Sequence, residues 1–253
     1  MKHIMKIFGV LMLILLTISC KQKEEINVAE MVINKAITHA GGKVLDNATI
    51  AFDFRKKHYK AKRENGNFAL TRCSDATCND TLDVLTNSGF ERRINNKRVK
   101  LPDSLINKYS NSVNSVHYFS VLPYGLDSPA VKKEVLDTVR IKDDSYYEIK
   151  VIFEQRGGGK DYEDEYMYWV NTEDFTVDYL AYNYHVNEGG TRFREAYNVR
   201  EINGVRVVDY KNYKPATQYP ALESLDSLFL NGQLELISHI ELKNVEVKAC
   251  PNC

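Results

Sequence analysis

The chain has 253 residues, 43% of them hydrophobic, and a formal net charge of zero. That is enough apolar material for a core, in a length that suits one large domain or two small ones. The balanced charge leaves no footprint for nucleic acid and nothing basic enough to hold an anionic membrane by charge alone.

The N-terminus reads as an address. Lys2 and Lys6 form a positive region, Ile7 to Leu16 an apolar run interrupted only by Gly9, and Thr17-Ile18-Ser19 leads into Cys20. The run is too short for a spanning helix and fits a signal segment over 1–19. A small residue before a cysteine, right after the apolar run, resembles a bacterial lipobox, although Thr17 stands where leucine is usual. The resemblance implies cleavage before Cys20 and acylation of that residue, which leaves 234 residues. Membrane attachment then comes from the lipid, and it is durable only with more than one acyl chain. Residues 20–25 form a lipidated, charged tether. Lys21-Gln22-Lys23-Glu24-Glu25 resembles the lysine-plus-acidic export signal of Bacteroidota surface lipoproteins, with a plain solvated linker as the alternative. The expected location is the outer membrane, lipid-anchored, with the cell surface and the inner face both open.

Residues 26–253 contain no Pro-rich linker, low-complexity stretch or internal repeat, and are expected to form a single antiparallel-sheet domain. Ala29, Val32, Ile33, Ala36, Ile37 and Ala40 lie on one face of a helix over 26–40, which Gly41-Gly42 ends. From Asn47 the period changes to two: Ile50, Phe52 and Phe54 alternate with Ala51, Asp53 and Arg55. Strands over 57–64 and 68–73 follow, joined through Asn65-Gly66. Two weaker strand segments cover 81–86 and 90–99. Pro102-Asp103-Ser104 opens a second helix with Leu105, Tyr109, Val113 and Val116 on one face to about Phe119. Ser128-Pro129 has the form of an N-cap with a first-turn proline and predicts a short helix to Leu136. Strands return over 138–142 and 146–155. Segments 166–170, 176–184, 191–201 and 205–213, separated by turn residues, predict an antiparallel meander. A short helix over 221–230 and two strands over 234–240 and 242–247 close the chain.

Four cysteines remain after Cys20, in two close pairs, Cys73 with Cys78 and Cys250 with Cys253. Because an exported chain meets oxidising conditions, these are disulfide candidates; a four-thiolate zinc site and a redox role for the second pair are the alternatives. Gly157-Gly158-Gly159 lacks phosphate-loop spacing and predicts a hairpin tip. His39, His58, His117, His185 and His239 are scattered without metal-ligand pairing, and no GxSxG occurs. Asp161, Glu163, Asp164 and Glu165 predict a solvated rim, since no EF-hand spacing supports calcium. No metal and no cofactor are expected. Enzymatic activity stays open, with a non-enzymatic role favoured, because carboxylate pairs meet only in the fold.

Aromatics carry the remaining signal. Tyr166 and Tyr168 share one strand face and Met167 and Trp169 the other, while Tyr182 and Tyr184 share a face. Ordinary sheet packing is one reading; an aromatic-lined cavity or groove is the other. Asn87-Ser88-Gly89-Phe90-Glu91-Arg92, Trp169 to Tyr184 with its Asp178-Tyr179-Leu180-Ala181-Tyr182 core, and Gly189-Gly190-Thr191-Arg192-Phe193-Arg194 together resemble an uncharacterised family of Bacteroidota lipoproteins over most of 28–215. In element order alone, the chain is more distantly similar to the lipoprotein carriers LolA and LolB. That resemblance implies an α+β fold: a curved antiparallel sheet or half-open barrel, with an N-terminal helix and inserted helices packed on its concave face. It also implies a cradle for an acyl chain or other apolar ligand, for which Phe52, Phe54, Tyr168, Trp169, Tyr182, Tyr184 and Arg194 are the candidate binding residues. A surface hydrolase or glycan-handling protein, with candidates among Asp161–Glu165, Tyr182, His185 and Arg194, is the alternative. A structural partner in an envelope complex is a third reading, and the sequence names no protein partner.

Overall fold

A computed structural model describes residues 27–156, 162–185 and 188–250. The expected signal segment, Cys20, the tether, the 157–159 glycines, Asp161 and Cys253 lie outside the described residues. The chain opens with α1 (Val28–His39) and a single turn, α2 (Gly42–Leu45). The strands β1 (Ala48–Phe54), β2 (Lys57–Glu64), β3 (Asn67–Cys73), β4 (Thr81–Thr86), β5 (Gly89–Ile94) and β6 (Lys97–Arg98) follow. A long helix, α3 (Asp103–Ser120), leads to β7 (Val131–Ile141), β8 (Asp144–Phe153), β9 (Tyr166–Asn171), β10 (Val177–Tyr184), β11 (Gly190–Ile202) and β12 (Val205–Pro215). A 3₁₀ turn, α4 (Leu225–Leu230), β13 (Leu234–Ile240) and β14 (Leu242–Ala249) complete it.

The strands form two seven-stranded antiparallel sheets, ordered β14-β1-β2-β3-β4-β5-β6 and β13-β12-β11-β10-β9-β8-β7. Neither closes into a barrel. Only Glu241 separates β13 from β14, so the chain changes sheets there. Asp209 fixes that crossing: its Oδ1 accepts from the Leu242 amide at 2.9 Å and from Arg200 Nη2 at 2.6 Å. Arg200 Nη1 in turn donates to the Leu242 carbonyl.

The turn chemistry read from the sequence holds. Asn65 and Gly66 both take positive φ between β2 and β3, as do Asn203 and Gly204 between β11 and β12. Gly41 ends α1 at φ 85°, and a Cβ there would overlap the Gly204 carbonyl, so this close approach of helix to hairpin requires glycine.

Three helices cover the sheets, and they do not share one face. Ala29, Val32, Ile33 and Ala36 of α1 pack on Ile149, Val151, Leu180 and Val208 of the second sheet. Val32 and Ile33 are fully buried, a contribution of about 1.5–3 kcal/mol each. The helix α3 sits over β3, β4 and β5 of the first sheet, with Val113 against Ala61 and Leu70. By contrast, α4 lies on the opposite face of the second sheet, where Leu222 and Leu225 meet Met167, Trp169 and Phe193. Strand β9 is therefore buried on both faces. The short helix expected over 128–136 is instead a turn followed by β7, in which Val131 to Val135 pair with Phe153 to Ile149. The local N-cap and proline signal is outcompeted by a ladder that the window around it does not contain.

Cys73 and Cys78 form a local disulfide with Sγ atoms 1.99 Å apart. Cys250 is also disulfide-bonded.

Candidate functional site

Where the two sheets meet beneath the C-terminal end of α3 there is a cavity of about 350 Å³. Period-two alternation builds most of its wall. Tyr166, Tyr182 and Arg192 stand side by side on β9, β10 and β11, because Tyr182 is in register with both others. Two residues along each strand, Tyr168, Leu180, Arg194 and Asn212 form the next cross-strand row on the same face. Tyr210, Val208 and Ile240 continue the wall, the first sheet adds Phe54, Arg55 and Leu242, and α3 adds Val116 and Phe119 with two serines.

The helix is pinned at both ends of this arrangement. Arg72 and Arg92 both bind Asp83, with nitrogen–oxygen distances from 2.6 to 3.0 Å, and Arg72 Nη1 donates to Ser112 of α3 at 2.6 Å. The Arg92 guanidinium lies 3.5 Å from the centre of the Tyr109 ring. Further along, His117 Nε2 contacts the Thr71 carbonyl oxygen at 2.9 Å, and burial holds this imidazole neutral with a pKa of about 4. At the second sheet the Tyr118 and Tyr168 hydroxyls meet at 3.0 Å. Burial raises both phenols above their ordinary range, so they remain neutral.

Arg194 is the least conventional group in the wall. It is 8% exposed. Its guanidinium carbon sits 3.9 Å from the centre of the Phe119 ring, with Tyr182 and Tyr210 rings at 5.1 and 5.9 Å. Nη2 donates to the Tyr182 hydroxyl at 2.7 Å, and Nε has no hydrogen-bond partner among the described residues. No described carboxylate lies within 4.0 Å of it, whereas Asp83, Asp178, Glu195 and Asp209 each hold a cation. Ring stacking contributes about 0.5–2 kcal/mol, against several kcal/mol for taking an ion out of water. The stack offsets only part of that cost.

The structure brings four of the seven expected binding residues to the cavity: Phe54, Tyr182, Tyr184 and Arg194. The other three lie elsewhere. Phe52 is stacked on Tyr59 in the core between β1 and β2, Tyr168 is buried under Tyr118, and Trp169 faces α4 with Phe193. Of the acidic segment, Asp164 reaches the cavity and contacts His185 at 3.3 Å, while Glu165 pairs with Lys150. Sequence reasoning left Arg192 and Phe119 out, and noted Tyr166 only as an aromatic sharing a strand face with Tyr168, not as a candidate binding residue. Arg192 follows from Arg194 by period two and could have been found; Phe119 needed the position of α3.

No curated protein matches the chain in sequence. Among solved structures it is similar to a DUF1329 family protein from Desulfovibrio piger (TM-score 0.50, 9% identity, 89% of this chain and 94% of that one). It is also similar to a LolA superfamily protein from Nitrosomonas europaea (TM-score 0.49, 12% identity, 88% and 95%). At such identities the likeness to the first is one of fold alone. At the level of sequence the assignment is direct: a family profile matches residues 2–242, and the chain belongs to DUF6503, a family of unknown function.

Proposed function

We propose that this protein is a lipid-anchored envelope protein that holds an apolar ligand, the acyl chain of a lipid, between α3 and the second sheet. The observation that carries the reading is the cavity itself. About 350 Å³ is walled by Phe54, Phe119, Tyr166, Tyr182, Val208, Ile240 and Leu242, which is the chemistry and scale of a small-molecule site. Its aromatic walls are set by strands and a doubly pinned helix, so it is preformed rather than assembled on binding. The lipobox-like segment around Cys20 agrees with a role at a membrane. In the same reading Cys20 carries the lipid, and residues 26–253 act as one unit beyond the tether. A hydrolase reading is weaker, because among the described residues Asp164 is the single carboxylate in the wall and two-carboxylate chemistry needs a second.

All described elements lie within residues 27–250, so a chain beginning at Lys21 keeps the whole described fold. Native mass spectrometry of that chain, made in an oxidising compartment, tests the proposal. An adduct of lipid mass, lost on organic extraction and restored by adding back the extracted lipid, is the expected result. A bare protein mass that stays bare after incubation with a total lipid extract would overturn it.

A further inference from the structure

We propose that the cavity selects an anionic amphiphile with one tail, a long-chain fatty acid, whose carboxylate is bound by Arg194. The inference rests on the cavity reading above and deepens it by naming the head group.

Three facts point the same way. Arg194 is a buried guanidinium with five N–H groups, of which one has an acceptor among the described residues, the Tyr182 hydroxyl. Its Nε is sealed from solvent and has no acceptor among the described residues. Arginine cannot shed its proton to escape this situation, which favours an anion in the cavity as its partner. Second, among the described residues the wall carries more positive charge than negative: Arg55, Arg192 and Arg194 line it against one carboxylate, Asp164, which already contacts His185. Third, apolar wall adjoins the cationic groups. Arg192 and Arg194 project from β11 beside Tyr182, while Val208, Ile240, Leu242 and Phe54 supply apolar wall next to them. A molecule that satisfies both has an anionic oxygen head and a hydrocarbon tail. A carboxylate fits a guanidinium in a two-point, planar arrangement. The volume, about 350 Å³, is near the lower end of the range for ligand sites, roughly 300–1,000 Å³, and favours one chain over the several of a lipoprotein anchor.

Ring stacking alone would also explain an arginine under Phe119, and the experiment separates the two. Palmitic acid and hexadecanol share a tail and differ in the head. Their affinities for the chain beginning at Lys21 are measured by displacement of a fluorescent fatty-chain probe at about pH 8, where the carboxyl is ionised. The expected result is at least about tenfold tighter binding of the acid, with the difference between acid and alcohol abolished in R194Q. The comparison within the unmodified protein does not depend on the variant folding. Equal affinity for acid and alcohol would overturn the inference and leave the cavity reading standing. Binding of neither would overturn both. Displacement of the acid by millimolar inorganic phosphate alone would also overturn it, by showing an anion site that makes no use of the tail.

Discussion

The two faces of the second sheet each bury an ionisable group that has no opposite charge beside it among the described residues, and they do so with opposite signs. On the face covered by α1 and α3 the group is Arg194. On the face covered by α4 it is Glu148, 4% exposed, in register with Trp169 on β9. Burial, with Asp226, Glu223 and Asp137 nearby, pushes the Glu148 carboxyl up to about 7. The difference lies in the chemistry available to each. A carboxylate in such a place relieves itself by taking up a proton. A guanidinium has no such exit and stays charged at every pH the protein meets. Comparable burial therefore makes Glu148 a titrating structural group and leaves Arg194 a standing charge that an anion would complement. A third site sets the scale: Asp83, almost fully buried, is gripped by Arg72 and Arg92 and lacks nothing.

The contrast can be broken by mutation. The largest effect is expected at the satisfied site. D83A strands two guanidiniums under α3 and is expected to cost about 3–5 kcal/mol, read as a fall in denaturant midpoint; a loss below about 1 kcal/mol would mean that water already reaches the pair. Next comes Glu148, and its sign is worked out from the raised pKa. Between its ordinary value of 4.5 and about 7 the folded chain holds a proton that the unfolded chain has released. Stability is therefore lost as pH rises through that window. E148Q is expected to melt higher than the parent at pH 8, by an amount on the order of 1 kcal/mol, and to match it at pH 4. A gain that is the same at both pH values would remove titration as the cause. The smallest effect is expected at Arg194. In the ligand-free protein R194Q relieves a buried charge and should leave stability unchanged or raised by about 1 kcal/mol. A loss as large as that of D83A would make Arg194 a structural partner like Arg72.

Much of the wall was readable one strand at a time. Alternation put Tyr166 with Tyr168 and Tyr182 with Tyr184, and in each case the structure keeps the pair on one face; Arg192 and Arg194, which the same rule pairs, share a face as well. It could not say which pair member would meet solvent, cavity or helix. Tyr168 and Tyr166 share a face, yet Tyr118 covers the first and leaves the second in the wall. Trp169 looked as promising as either, and it faces α4 because a single step along a strand reverses direction. Phe52 and Phe54 divide in the same way: Tyr59 and His117 enclose the first, and the second stands at the strand end where the sheets meet.

What the sequence determined by itself is local. Its turns are set where Asn-Gly pairs take positive φ, its strands where apolar residues alternate, and its two long helices where the period is three to four, because each depends on a few neighbouring residues. The tertiary structure decided everything that needs two distant segments at once. Pairing with β8 made 131–136 a strand. The placement of α3 over the junction of the sheets closed the cavity and set Phe119 on Arg194. No described carboxylate comes within reach of that arginine, because charge balance around a buried group is a sum over every segment that folds against it.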